Sequence, residues 1–166
     1  MFAAPKKEKI SAVLKRFARR RKHRLLTDLK IQGKNGSLEI DNVYIGEFGV
    51  LVLDSFGYEG ELYGGEKEPR WALYEKKLKS PIENPIIALN EKVDAIRRIF
   101  AKEGVYKVDI KAYVLFRQKA SKLRINFQSP HILRIEGFRK FLSDKSFECD
   151  RSVRIEKVAE ALEKAQ

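Results

Sequence analysis

Three observations predict a mixed α/β (α+β) fold in a single domain. Stretches with apolar residues at helical spacing bracket stretches that alternate, or run apolar, in the manner of strands. The strand-like stretches are separated by glycine turns, and one long helix-like stretch opens on Asn84-Pro85, a strong start signal. At 166 residues and 43% hydrophobic, the chain can bury one core without disulfides or metals to staple it.

Ile10, Val13, Leu14 and Phe17 recur every three or four residues, so Lys7 to about Lys22 is predicted to be an amphipathic helix. Its other face carries Lys9, Arg16, Arg19 and Arg20. Residues 1–24 therefore read as a basic N-terminal helix and residues 25–166 as the main domain. Leu25 to Ile31 is a predicted strand, and Gly33 to Ser37 a turn with Asn35-Gly36 at its centre. Two apolar strands follow, Leu38 to Ile45 and Val50 to Asp54, on either side of a hairpin loop at Gly46-Glu47-Phe48-Gly49. The chain bends at Phe56 to Gly60, and Glu61 to Tyr63 forms a short strand. Glu66 to Pro81 is charged and reads as a loop, anchored to the core by Trp71, Leu73 and Tyr74.

At Asn84-Pro85, Asn serves as N-cap and Pro takes the first helical position, where its missing donor costs nothing. The apolar stripe is Ile86, Leu89, Val93, Ile96 and Phe100, with Lys92, Arg97, Arg98 and Lys102 on or beside the remaining face. Tyr106 to Phe116 alternates as a long strand. A basic loop follows with Arg117, Lys119, Lys122 and Arg124, then a short strand near Asn126 and another over Ile132 to Ile135. Phe138, Phe141 and Leu142 mark a short helix. Val153 to Lys164 marks a terminal one, with Ser152 as its cap.

The formal net charge of +12 attracts polyanions, which points to nucleic acid or an anionic surface as partner. The charge is concentrated. Arg19, Arg20, Arg21, Lys22, His23 and Arg24 stand together at the predicted helix end, where they match the helix dipole and suit phosphate contact. One cysteine, Cys149, and two histidines exclude an internal disulfide and argue against a zinc site of the usual Cys/His type. No apolar run approaches the ~20 residues of a membrane span, and the default compartment is the cytoplasm.

Candidate chemistry lies in the glycine-looped hairpin. With a four-residue loop, Ile45 pairs with Val50 and Asp41 falls opposite Asp54; a tighter loop would set Glu39 there instead. Opposed carboxylates destabilise a sheet unless a cation, a shared proton or a nearby basic group neutralises them. The alternative is that both acids stand at strand ends in water.

Glu39-Ile40-Asp41, Gly46 to Gly49, Leu53-Asp54-Ser55-Phe56, Gly60-Glu61-Leu62-Tyr63-Gly64, Trp71 and Asn84-Pro85 form an ordered set over roughly residues 26–116. In that order they resemble the nuclease-related domain (NERD) family, a branch of the PD-(D/E)XK nuclease superfamily. The resemblance implies a restriction-endonuclease-like mixed sheet flanked by helices. It also implies Asp41, Asp54 and the Ser55 carbonyl as ligands of Mg²⁺ or Mn²⁺, with a lysine activating the attacking water. Phe56 occupies the lysine place. Ala88 stands where the family often has Gln, and the early helical Glu has no assignable counterpart, Glu8 being remote from the strands. The leading expectation is a nucleic-acid-binding domain with weak or lost hydrolysis. It would use Arg19, Arg20, Arg21, Lys22, Arg24, Arg97, Arg117, Lys119 and Lys122 on phosphates. The alternatives are an active Mg/Mn-dependent nuclease with a relocated lysine, Lys92, and a protein or anionic-surface interaction module.

Overall fold

The structure, a computed structural model, describes residues 6–117, 123–125 and 129–166, so Lys119, Lys122 and Asn126 lie outside the described residues. In chain order its elements are α1 (Lys7–Arg21), β1 (Arg24–Gly33), β2 (Gly36–Gly46), β3 (Gly49–Phe56), β4 (Glu61–Gly64), β5 (Arg70–Glu75), β6 (Leu78–Glu83), α2 (Pro85–Lys102), β7 (Ile110–Phe116), β8 (Leu123–Ile125), β9 (Ile132–Arg134), α3 (Phe138–Leu142) and α4 (Ile155–Lys164).

The strands form two mixed sheets. The larger has the order β1-β2-β3-β7-β9, antiparallel from β1 to β3 and parallel from β3 through β7 to β9. The smaller has the order β6-β5-β4-β8. Strict alternation along β3 sends Val50 and Val52 to one face and Leu51 and Leu53 to the other, and two hydrophobic clusters result. One holds the apolar stripes of α2 and α4 together with Leu62, Trp71, Leu73 and Leu123 of the small sheet. The other holds Ile10, Leu14 and Ala18 of α1 with Phe138 and Leu142 of α3. Helices thus cover both faces of a mixed sheet, which is the restriction-endonuclease-like arrangement.

The hairpin register is the expected one, Ile45 with Val50, but Gly46 also pairs with Gly49, so the loop is the two residues Glu47-Phe48 and not four. The predicted N-cap also stands, since the Asn84 side chain accepts from the Ile86 N–H while its amide donates to the carbonyls of Glu66 and Glu68. Gly60 and Gly64 are there for close approach. A Cβ on Gly60 would lie 2.0 Å from the Tyr74 carbonyl oxygen, and one on Gly64 would lie 2.3 Å from the Trp71 ring.

Other boundaries differ from expectation as well. The stretch 66–81 is largely a hairpin, β5 to β6, turned by Lys76 and Lys77 at φ 45° and 69° rather than by Gly or Asn. The turn between β1 and β2 is Lys34-Asn35, with Gly33 and Gly36 already paired. β7 begins at Ile110, because Lys107 takes a left-handed φ of 59° and breaks the extended run. α4 begins at Ile155; Ser152 has φ 59° and lies before the helix, and the N-cap residue, Arg154, makes no side-chain cap.

Candidate active site

The last β2 to β3 pair is Asn42 with Leu53, and beyond it the strands are joined by carboxylates. The Asp41 N–H donates to Asp54 Oδ1 at 3.0 Å, and the Ser55 N–H donates to Asp41 Oδ2 at 3.0 Å. Each acid therefore satisfies a backbone donor that the separating strands would leave unpaired. On the other side of β2, the pairs Thr27 with Asn42 and Leu29 with Ile40 set Asp28 across from Asp41. Asp28, Asp41 and Asp54 form one transverse row over three neighbouring strands. Asp28 has a left-handed φ of 51°. The ribbon turns over at this row, since Leu26 and Val43 before it and Leu29 and Ile40 beyond it all meet the same cluster.

Two lysines from opposite faces of the sheet pair with the row. Lys92, in the second turn of α2, contacts Asp54 Oδ2 through its Nζ, and both side chains are largely buried, 15% and 3% exposed. Lys7, in the first turn of α1, lies with its Nζ 2.7 Å from Asp41 Oδ1 and 2.8 Å from Asp28 Oδ1. Ser11 of the same helix donates to the buried Asn42 side chain at 2.9 Å, which fixes α1 over β2. Burial raises the Asp54 pKa above its ordinary value, and the Lys92 charge offsets part of that shift. Burial disfavours the Lys7 ammonium, but hydrogen bonds to Asp28 and Asp41 and their charges outweigh it and raise its pKa well above the ordinary lysine value.

Phe56 does not fill the space between the acids. Its half-buried ring stacks on Tyr58 at 6.0 Å and tilts against Phe116 at 6.3 Å. The structure thus gathers Asp41, Asp54, Ser55 and Lys92. Sequence reasoning missed Lys7 and Asp28. One signal was available: a lysine in the first turn of a helix stands at the positive end of the dipole, where an acid is favoured.

The residues singled out for phosphate contact separate into groups. Arg19, Arg20 and Lys22 are exposed at the far end of α1, with the Arg20 guanidinium 4.7 Å from the Phe17 ring centre. Arg21 is turned inward, 6% exposed, donating to the Leu142 carbonyl at 2.7 Å and 3.5 Å from Glu148. Arg24 joins β1 to α4 through Glu156 and Glu163, each at 2.7 Å. Arg97 is exposed on α2, and Arg117 follows β7 with its guanidinium packed against Gly57. A cavity of about 340 Å³, lined by Lys107, Arg151, Arg154 and Lys157, lies before the start of β7, at the opposite end of that strand from Asp54.

As a cation site, the row offers carboxylate oxygens that already receive positive charge, Asp41 Oδ1 from Lys7 and Asp54 Oδ2 from Lys92. Among the described residues no group of three or more His, Cys, Asp or Glu is gathered as ready ligands. A divalent ion would have Asp41, Asp54 and a backbone carbonyl, a hard oxygen set suited to Mg²⁺ or Mn²⁺.

A restriction-endonuclease-like domain with an acidic pair where β2 parts from β3 is a nuclease-type architecture. The nuclease-related domain model matches residues 4–117, and the chain belongs to that family. An uncharacterized protein of Bacillus anthracis is similar to it, 30% identical over 104 residues, which is 61% of this chain and 47% of that protein. The chain thus spans about half the length of that relative. No solved structure matches it. Among the described residues no helix is long and apolar enough to cross a membrane.

Proposed function

We propose that this chain is a metal-dependent hydrolase of nucleic-acid phosphodiesters, with Asp41 and Asp54 as its acidic pair and Lys92 in the role of the missing strand lysine. The observation that carries this reading is the contact between Lys92 Nζ and Asp54 Oδ2. Phe56 can neither carry charge nor donate a proton, but the ammonium reaches the same carboxylate from α2.

A divalent ion held by Asp41, Asp54 and the Ser55 carbonyl would supply Lewis acidity and a bound water of lowered pKa. The Ser55 and Asp41 backbone N–H groups hold one oxygen of each carboxylate, which fixes where the remaining oxygens point. Lys92 neutralises the buried Asp54 and presents donors that can orient water or stabilise negative charge on a phosphoryl oxygen. Arg19, Arg20 and Lys22 bind phosphates away from the acids. At 1.5 Å per residue, Arg20 lies about 20 Å along α1 from Lys7, roughly six base-pair steps of duplex. Arg97, Arg117, Lys119 and Lys122 extend the same expectation.

Lys7 favours a second reading, nucleic-acid binding without hydrolysis, because its ammonium takes the Asp41 oxygen that an ion would use. Incubation with plasmid and single strands in Mg²⁺ or Mn²⁺, beside Asp41→Ala, separates the two. Cleavage that disappears in the variant is expected. Absent cleavage, or cleavage that survives the substitution, overturns the hydrolase reading; affinity in fluorescence anisotropy without cleavage leaves the second one.

A further inference from the structure

The geometry points to Lys7 as a resident counter-cation that competes with a divalent ion for Asp41, with Asp28 as its tether; this inference rests on the reading of Asp41 and Asp54 as a cation site. Lys7 Nζ sits between two carboxylate oxygens at 2.7 and 2.8 Å, the distances of charge-assisted hydrogen bonds. It is a specific placement against local preference. Lys7 is the first residue of α1, where the helix dipole opposes a cation, and the preceding Lys6 makes no side-chain cap. The position is offset by Asp28, whose backbone holds a sparsely populated left-handed conformation directly across the ribbon from Asp41.

The charge count supports exchange. The row has three carboxylates, Asp28, Asp41 and Asp54, and two ammonium groups, Lys7 and Lys92, so Asp28 and Asp41 share one ammonium and the row keeps one net negative charge. Lys92 enters from the α2 side and is largely buried. Lys7 enters from the α1 side, is 32% exposed, and is anchored partly to Asp28, which is 60% exposed. Of the two lysines, Lys7 is therefore the one that can leave into water at small cost. When it leaves, Asp41 Oδ1 becomes available, and Asp28 keeps the displaced ammonium close by. Lys7 and Asp28 are positioning residues: neither touches the reacting atoms, and both set how readily Asp41 accepts an ion.

The test is Mn²⁺ binding to the full chain at neutral pH, read from the loss of the free-ion electron paramagnetic resonance signal. Lys7→Met and Lys7→Gln are each expected to bind Mn²⁺ about tenfold or more tightly than the unaltered chain. Lys7→Arg, which keeps the charge, is expected to bind as the unaltered chain does. Asp28→Asn loosens the tether and is expected to fall between the two. A circular dichroism spectrum accompanies each variant, and the two uncharged replacements guard against one that fails to fold. Unchanged or weaker binding in folded Lys7→Met and Lys7→Gln overturns the proposal, as does weaker binding in Asp28→Asn. No Mn²⁺ binding in any chain, the unaltered one included, overturns the acidic-pair reading itself, whereas binding that merely fails to respond to Lys7 overturns only the role given to Lys7.

Discussion

The two ends of α1 handle charge in opposite ways. At its start, Lys7 is tied into a row of carboxylates in which Lys92 and Asp54 are also paired, so cations there serve the protein's own acids. At its end, six consecutive cationic or titratable residues divide: Arg21, His23 and Arg24 are engaged by Leu142, Glu148, Tyr44, Glu156 and Glu163, while Arg19, Arg20 and Lys22 are exposed. A run of positive charge is thus not one surface. Paired cations organise the fold, and only the exposed remainder is free to meet a polyanion.

The largest effect is expected at Lys92. If it orients water or stabilises developing charge, Lys92→Ala lowers the cleavage rate by about 10²- to 10⁴-fold, measured by single-turnover plasmid nicking. A rate within threefold of the unaltered chain would remove Lys92 from the chemistry and leave it as a counter-ion.

The same pair gives a stability test. Removing one partner of a buried pair strands the other, so Lys92→Met is expected to cost about 3 kcal/mol in urea unfolding at neutral pH. The double variant Lys92→Met/Asp54→Asn is expected to recover most of that loss. The pH dependence follows from the raised pKa of Asp54. A carboxyl whose folded pKa exceeds its unfolded value favours the fold when protonated, and that advantage fades as pH rises from the unfolded pKa through the folded one. The deficit of Lys92→Met therefore shrinks as pH falls toward 4. A deficit that stays constant with pH would show that the loss is one of packing along the lysine stem, not of charge.

The basic end is tested by salt. Replacing Arg19, Arg20 and Lys22 together by Ala is expected to flatten the slope of log affinity against log salt by up to about 2.7 if all three contact phosphates of duplex DNA. Arg97→Ala gives a comparison outside the cluster, with a change of about 0.9 or less. An unchanged slope in the triple variant would move the polyanion surface away from α1.

How much of this was legible follows from where the determinants lie. Asp41 and Asp54 could be read from sequence because a glycine-bounded loop fixes the register of two apolar strands. Trp71 and Asn84 were readable because a large apolar ring and an Asn-Pro start have few other uses. The β5 to β6 hairpin was not, because Lys76 and Lys77 carry its turn without Gly or Asn, and β6 is a solvent-facing edge strand that can hold charges and Pro81. Lys7 and Asp28 escaped for a different reason. Their meeting depends on α1 crossing β1 and β2, a tertiary fact that neither segment's periodicity encodes. The inward turn of Arg21 toward Leu142 likewise depends on α3, more than a hundred positions away in sequence.

The smallest expected effect is at Arg24, and it tests the division of the cationic run most directly. Its guanidinium bridges Glu156 and Glu163 at a half-exposed site, where such pairs contribute about 0 to 1 kcal/mol. Arg24→Ala is expected to lower the urea midpoint slightly and to leave the salt slope of nucleic-acid binding unchanged, because both ends of its fork are already taken by α4. If the slope falls by about 0.9, as for a phosphate contact, the glutamates do not hold it in the presence of polyanion. The distinction between structural and available cations on α1 would then depend on the partner, not on the fold alone.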